Sequence, residues 1–246
     1  MSFQAQFLPW TKVRELAGRG AVALLPLGST EAHGPHLPLN VDVLIAREVC
    51  RRMAQTLLGE GTPALVFPAL SYGVTDFAAT FSGTVSVSAA ATTAYLKDVV
   101  VSIARHGFQR IAVVNHHLEP AHFAVVHAAC AQAQAETGVR VRVPDHRKKP
   151  TSPLLGEEFT HGGSHAGFYE TSLMLAIAPH LVDTRTLETL PELAVDLPQK
   201  IREGARNFNE CGGLDAYLGN PQKATAEEGE RLLKVLVEYS LSCLEA

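Results

Sequence analysis

An unbroken apolar run followed at once by a knot of acidic and imidazole side chains limits how this chain can fold. Val22–Leu27 (VALLPL) ends at Gly28; Glu31, His33, His36 and Asp42 follow before helical spacing takes over from Val43. A run apolar at every position suits a strand buried on both faces, as in a parallel sheet covered by helices. Carboxylates are seldom fully buried unless paired or bound to a metal. The loop is therefore expected to supply part of a metal site; the alternative is a polar loop with Glu31 and Asp42 as surface charges.

The remaining elements repeat the pattern. Leu8–Leu16 reads as a short amphipathic helix and Ala21–Leu27 as the first strand. Val41–Leu58 has helical spacing and ends at Gly59 and Gly61, with Asp42 near its start. Ala64–Leu70 reads as a second strand, Val85–Val87 as a short one, and Ala89–Gly107 as a helix. Arg110–Asn115 is a third buried strand, Ala121–Thr137 an Ala-rich helix and Val139–Val143 a fourth strand. A helix is expected to begin near Glu170 and stop at Pro179, with a last one over about Thr225–Leu244, capped by Thr225 and Glu228. Leu181–Gly219 is mixed. Alternating strands and helices predict one α/β domain over residues 1–246, its mostly parallel sheet covered on both faces. Ligands in such folds sit beyond the carboxyl ends of the strands, which puts the Glu31 and His116 loops on one edge. The long loop Ser71–Gly83 also follows a strand, where long loops are often functional.

Charge and cysteine usage exclude several partner classes. The 246 residues carry a net charge of −4, and the longest basic block is Arg147-Lys148-Lys149. No nucleic-acid or membrane-surface partner is expected. Arg147–Lys149 reads as a solvated loop or as a contact for an anionic substrate. No apolar run reaches the ~18 residues needed to span a bilayer. The first residues lack a basic segment followed by an apolar one, and the four cysteines form no CxxC pair, so a cytoplasmic protein with reduced thiols is expected.

The eleven histidines cluster rather than scatter. Glu31 and His33, two apart in extended chain, point the same way and can reach neighbouring ions, with Asp42 able to bridge them. Carboxylates and neutral imidazoles suit Zn, Mn or Fe. Asn115-His116-His117-Leu118-Glu119 adds a second His-x-Glu pair just past a buried strand. Adjacent His116 and His117 cannot both face one site, so one is supporting; for His116 the alternative is a satisfied buried histidine. A third cluster holds His165 and Glu170. A histidine with a near-neutral pKa can donate a proton to a leaving nitrogen. Glu170 near a helix start has the alternative of a dipole interaction only. His122 reads as support for the second cluster and His36 for the first.

These residues fall in motifs that resemble the creatininase family of metal-dependent amidohydrolases. The resemblance rests on PLGSTEAHGPHLPL (Pro26–Leu39) with Asp42, FSGTVSV (Phe81–Val87), HAGFYETSLMLAIAP (His165–Pro179) and GNPQKATAEEGERLL (Gly219–Leu233). It implies a three-layer α/β/α fold and two divalent ions per chain. Glu31, Asp42 and His117 would hold one ion and His33, Asp42 and Glu119 the other, with Asp42 bridging. His165 would handle the proton of the leaving nitrogen, Glu119 or Glu170 would take the proton of water, and Glu170 would be a ligand or base. His116, Asp76 and His161 are the candidate substrate contacts. The reaction implied is hydrolysis of a small linear or cyclic amide C–N bond by a hydroxide bridging the ions, in a homohexamer. Alternatives are a lactone or ester hydrolase on the same site and a non-catalytic binding relative.

Three departures from the family bear on specificity. The only tryptophan is Trp10, outside every motif, whereas creatininase proper covers its cyclic substrate with tryptophans. His116 stands where the family commonly has a small residue. Ser71–Gly83 lacks the Glu-His pair that many formamide-hydrolysing relatives carry.

Overall fold

β1 (Val22–Leu27) is buried along its whole length and lies inside a sheet ordered β2-β1-β3-β4, with β2 Ala64–Val66, β3 Arg110–Asn115 and β4 Arg140–Arg142. The computed structural model describes residues 3–162 and 164–245. All three strand pairings are parallel, and Leu27 stands opposite Asn115, so the chains leaving β1 and β3 emerge on one edge.

Helices α1 (Trp10–Gly18), α2 (Val41–Gly59), α3 (Ala89–Arg105), α4 (Pro120–Thr137), α5 (Glu157–Thr160), α6 (Phe168–Ile177), α7 (Thr184–Leu187), α8 (Leu197–Arg202) and α9 (Ala226–Glu245) complete the fold. Alternation along the strands sorts them into layers. Val22 and Leu24 of β1 join Ala112 and Val114 of β3 in a core built with α2, α6 and α9. Ala23, Leu25 and Leu27 join Ile111 and Val113 in a second core with α3 and α4. The arrangement is the three-layer α/β/α fold expected.

Several boundaries differ from the sequence reading. β2 stops at Val66, and Phe67–Leu70 meets β1 only through separate bonds. Leu70 donates to the Pro26 carbonyl at 3.0 Å, but Pro26 has no N–H to return on that side, and Pro68 interrupts the second chain. Val85–Val87 forms no strand; Ser86 bridges Gly73, and Val85 N–H donates to the Thr30 carbonyl at 3.0 Å, strapping the long loop over the Glu31 segment. α6 begins at Phe168, two residues before Glu170. Among the described residues no helix is long and apolar enough to cross a membrane, and all four cysteines are free.

Two glycines set the spacing of the layers. A Cβ on Gly28 would lie 2.6 Å from Val43 N and 2.7 Å from Asp42 Cβ. The bare backbone at the end of β1 thus lets the first turn of α2, carrying Asp42, close on the strand. On the same face, a Cβ on Gly229 of α9 would collide with the Ser172 carbonyl of α6.

Candidate metal centre

Beyond the carboxyl ends of β1 and β3, carboxylates and imidazoles meet in a buried cluster. Asp42 divides its oxygens between two rings: Oδ2 is 3.1 Å from His117 Nδ1, and Oδ1 is 3.3 Å from His33 Nε2. Glu31 Oε1 lies 3.3 Å from His117 Nδ1, 3.8 Å from His33 Nε2 and 3.8 Å from His165 Nδ1. Glu170 Oε2 lies 3.5 Å from His33 Nε2. Glu31, His33, Asp42, His117, His165 and Glu170 are all buried.

Each ring is turned by a hydrogen bond at its far nitrogen. A carbonyl only accepts, so the ring nitrogen facing it carries the proton. His117 Nε2–H donates to the Val74 carbonyl at 2.8 Å, His33 Nδ1–H to the Glu31 carbonyl at 3.1 Å, and His165 Nε2–H to the Ala32 carbonyl at 2.9 Å. The other nitrogen of each ring then faces the carboxylates, the outer-shell pattern of metal-binding histidines. Among the described residues His33 Nε2 is buried with no hydrogen-bond partner. Three ligand groupings result among those residues: Glu31–Asp42–His117, His33–Asp42–Glu170 and Glu31–His33–His165. The donor set of imidazole nitrogens and carboxylate oxygens fits divalent first-row ions.

In the second grouping Glu170, rather than the Glu119 of the sequence reading, lies beside His33 and Asp42. Glu170 occupies that place because α6 starts early enough to turn its carboxylate inward, where it also accepts from Ala166 N–H at 2.7 Å. Ala166 adopts a left-handed φ of 49°, an uncommon conformation for a residue with a Cβ, and this turn sends His165 and Glu170 to one point. Glu119 instead accepts from the N–H groups of Asp76 and Phe77 at 3.3 and 3.2 Å, with Oε2 3.9 Å from His117 Nε2.

The buried carboxylates and imidazoles of the cluster shift one another's protonation. Burial disfavours the His33 imidazolium, yet Glu170 and Asp42 outweigh it and raise its pKa to about 10. Burial likewise disfavours a charged His117, and Glu31 and Asp42 again drive its pKa well above the ordinary value. Burial would raise Asp42, but the facing His33 and His117 hold it well below the carboxylate range. Glu170 is pushed up to about 8, chiefly by burial. Glu119 rises to about 6, burial exceeding the pull of His117. His165 departs from its expected near-neutral value: burial and then the neighbouring His33 charge lower it to about 4.

Support comes from residues the sequence marked only as neighbours. His122 Nδ1 accepts from Val74 N–H at 3.3 Å, while its Nε2–H donates to Asn115 Oδ1 at 3.2 Å. Val74, so held, presents its carbonyl to His117. His36 is tied through Nε2 to Thr171 Oγ1 at 2.9 Å. Thr75 donates to Glu31 Oε2, a contact missed in the sequence although the loop was singled out by its length.

Of the substrate contacts expected, His116 and His161 lie apart from the three ligand groupings. His116 is buried away from the cluster between His146 and Tyr169, with ring centroids 5.2 and 5.6 Å away, because neighbours along extended chain point to opposite sides. His161 is exposed, and its Nδ1–H donates to the Glu157 carbonyl at 2.8 Å, outside the chamber beside the metal groupings. Asp76 touches Glu119 through its backbone, while its carboxylate accepts from Ser86 at 2.7 Å. The chamber, about 60 Å³, is closed by Phe77, Leu118, Leu197, Ile201 and Phe208. Phe208 stacks on His165 with centroids 4.1 Å apart, and Phe77 meets Phe208 edge-on at 5.4 Å. No motif announced Phe208.

A sequence model of the creatininase family, described as creatinine amidohydrolase, matches residues 6–244. The chain belongs to the creatininase family. It is 31% identical to the creatinine amidohydrolase of Pseudomonas putida, over 94% of this chain and 92% of that protein. It is 34% identical to the mycofactocin precursor peptide peptidase of Mycobacterium tuberculosis, over 87% of this chain and 81% of the relative. A solved mutant creatininase of the Zn–Zn type superposes with a TM-score of 0.78 at 27% identity, covering 98% of this chain and 96% of that one. As a creatininase-family chain it shares its fold with named amidohydrolases and peptidases, which cleave carbon–nitrogen bonds.

Proposed function

We propose that this protein is a metal-dependent hydrolase of a small linear or cyclic amide, with two divalent ions held on a shared Asp42. The observation that carries this reading is the three-fold tautomer control at His33, His117 and His165. Each ring spends its far N–H on a backbone carbonyl and turns its other nitrogen toward buried carboxylates. Glu31, Asp42 and His117 would hold one ion, and His33, Asp42 and Glu170 the other; zinc, manganese and iron all suit these donors. Ions at such sites lower the pKa of water from ~15.7 towards ~7 and polarise a carbonyl oxygen.

The protein's own groups then divide the proton work. Glu119, at about 6, is ionised at neutral pH and accepts the proton of the attacking water. His165 Nδ1 faces the chamber and passes a proton to the departing nitrogen. Burial keeps the resting ring neutral, so the proton it passes on is the one that Glu119 takes from the attacking water. Phe208, stacked on His165, fixes the plane of the ring and keeps water from that side. The products are a carboxylate and an amine, or their ring-opened equivalent.

The two curated relatives are named for creatinine and for a precursor peptide, so an amide-type carbon–nitrogen bond is the chemistry they share. The homohexamer implied by the family resemblance belongs to this proposal, and sedimentation of the purified protein tests it. The test of function is a panel of linear amides, cyclic amides and short peptides offered to protein loaded with zinc or manganese. Turnover abolished by a chelator and restored by the ion supports the reading. Metal loading without hydrolysis of any member overturns it.

A further inference from the structure

The chamber beside the metal groupings adjoins a larger groove. Leu118, Pro120, Ser164, Leu197 and Ile201 line both. The inner chamber is about 60 Å³ and the outer groove about 400 Å³. The inner space admits the scissile amide and little more, so any further part of a substrate must lie in the groove. Its shared wall is apolar apart from Ser164. The rest of its lining includes Arg147 and Lys149, and no carboxylate lines it among the described residues.

The two cations differ in availability. Arg147 is committed: Nε and Nη2 donate to Asp145 at 2.8 and 3.0 Å, and its guanidinium lies over Phe123, 3.4 Å from the ring centroid. Lys148 also leans on Asp145, at 3.4 Å. Lys149 is exposed and has no ion pair or hydrogen bond among the described residues. The Asp145 charge is thus met twice over, and Lys149 faces the groove unneutralised. A cation in a groove that shares a mostly apolar wall with the chamber is suited to a negatively charged group carried some distance from the bond to be cut.

We propose that the substrate is an amide bearing a carboxylate or similar anion on an aliphatic spacer, with the spacer along Leu118, Leu197 and Ile201 and the anion at Lys149. The proposal rests on the hydrolase reading above and narrows it. It makes Lys149 a specificity residue that touches neither the ions nor the reacting atoms.

The experiment compares glutaramate and adipamate with the uncharged pentanamide and hexanamide on the zinc-loaded, full-length protein. It reads ammonia release together with binding by titration calorimetry. The charged amides are expected to bind more tightly than their neutral counterparts. Lys149→Ala should raise KM for the charged pair about fivefold with kcat unchanged, the size of one partly exposed ion pair, while leaving the neutral pair untouched. Lys149→Glu should raise it further, and added salt should erode the wild-type advantage. Equal binding of charged and neutral amides, no binding of either, or an equal effect of Lys149→Ala on both pairs overturns the anionic-substrate proposal. Hydrolysis of the neutral amides alone overturns it while leaving the hydrolase reading intact. Lys149-dependent binding of the charged amides without ammonia release supports the groove and counts against hydrolysis.

Discussion

Asp42 reaches His117 with one carboxylate oxygen at 3.1 Å while its other oxygen lies 3.3 Å from His33. Three segments that meet at one sheet edge are tied by this residue: the loop after β1, the first turn of α2 and the loop after β3. Asp42→Ala is therefore expected to cost the protein most of its bound metal from both positions at once. Elemental analysis of purified protein checks this, and full metal retention would remove Asp42 as the bridge.

Metal uptake should release protons. In the metal-free protein the facing Glu170 and Asp42 raise His33 to about 10, so it holds its extra proton at pH 7. A ligand must shed its proton to bind an ion, so apparent affinity should rise as pH goes from 6 to 8. Calorimetric titrations with zinc in buffers of different ionisation enthalpy should give different apparent heats. Identical heats would mean that the cluster binds the ion without losing protons.

Glu119 is set apart from the three ligand groupings and should behave as a base rather than as a ligand. Glu119→Gln is expected to keep its metal. In the wild type, kcat/KM should rise with pH through about 6 as the carboxyl ionises. The variant should lose that rising limb along with most of the rate, roughly 10²-fold or more for a lost general base. Metal loss in this variant would return Glu119 to the ligand set.

His165 and Phe208 form a pair whose members should differ in severity. His165→Ala should keep metal and lose turnover. Phe208→Ala removes only the stacked face, a contact of ~0.5–1.5 kcal/mol, so a loss of at most about tenfold in kcat is expected. Unchanged turnover in His165→Ala would leave the ring a structural role alone.

Gly229 controls how closely α9 approaches α6. A methyl group there meets the Ser172 carbonyl, a backbone atom that cannot swing aside. Gly229→Ala should destabilise the protein by ~1–3 kcal/mol or more, read as a lower midpoint in thermal or denaturant unfolding. Glu170 rides on α6, so metal affinity should fall as well; an unchanged midpoint would show that the helices can separate freely.

Local pattern made the parallel strands, the covering helices and much of the metal set readable. The apolar run of β1 could be buried on both faces only between helices. Strand polarity alone then placed Glu31, His33, Asp42 and His117 on one edge. The assignment of Glu119 and Glu170 was not readable in the same way. It turns on where α6 starts, on the left-handed turn at Ala166, and on which backbone N–H groups receive the Glu119 carboxylate. Nor could spacing reveal that His116 is stacked between His146 and Tyr169, or that Phe208 covers His165.

The sequence by itself determined the layer architecture and the stock of ligands, because both follow from periodicity and from side-chain chemistry along short stretches. The tertiary structure decided which carboxylate lies beside His33, which nitrogen of each ring faces the carboxylates, and what walls the chamber. Those outcomes depend on contacts between segments far apart in the chain. Val74 meets His117 across 43 positions, and His165 meets Ala32 across 133. Only the packed fold sets such meetings, since no local preference encodes them.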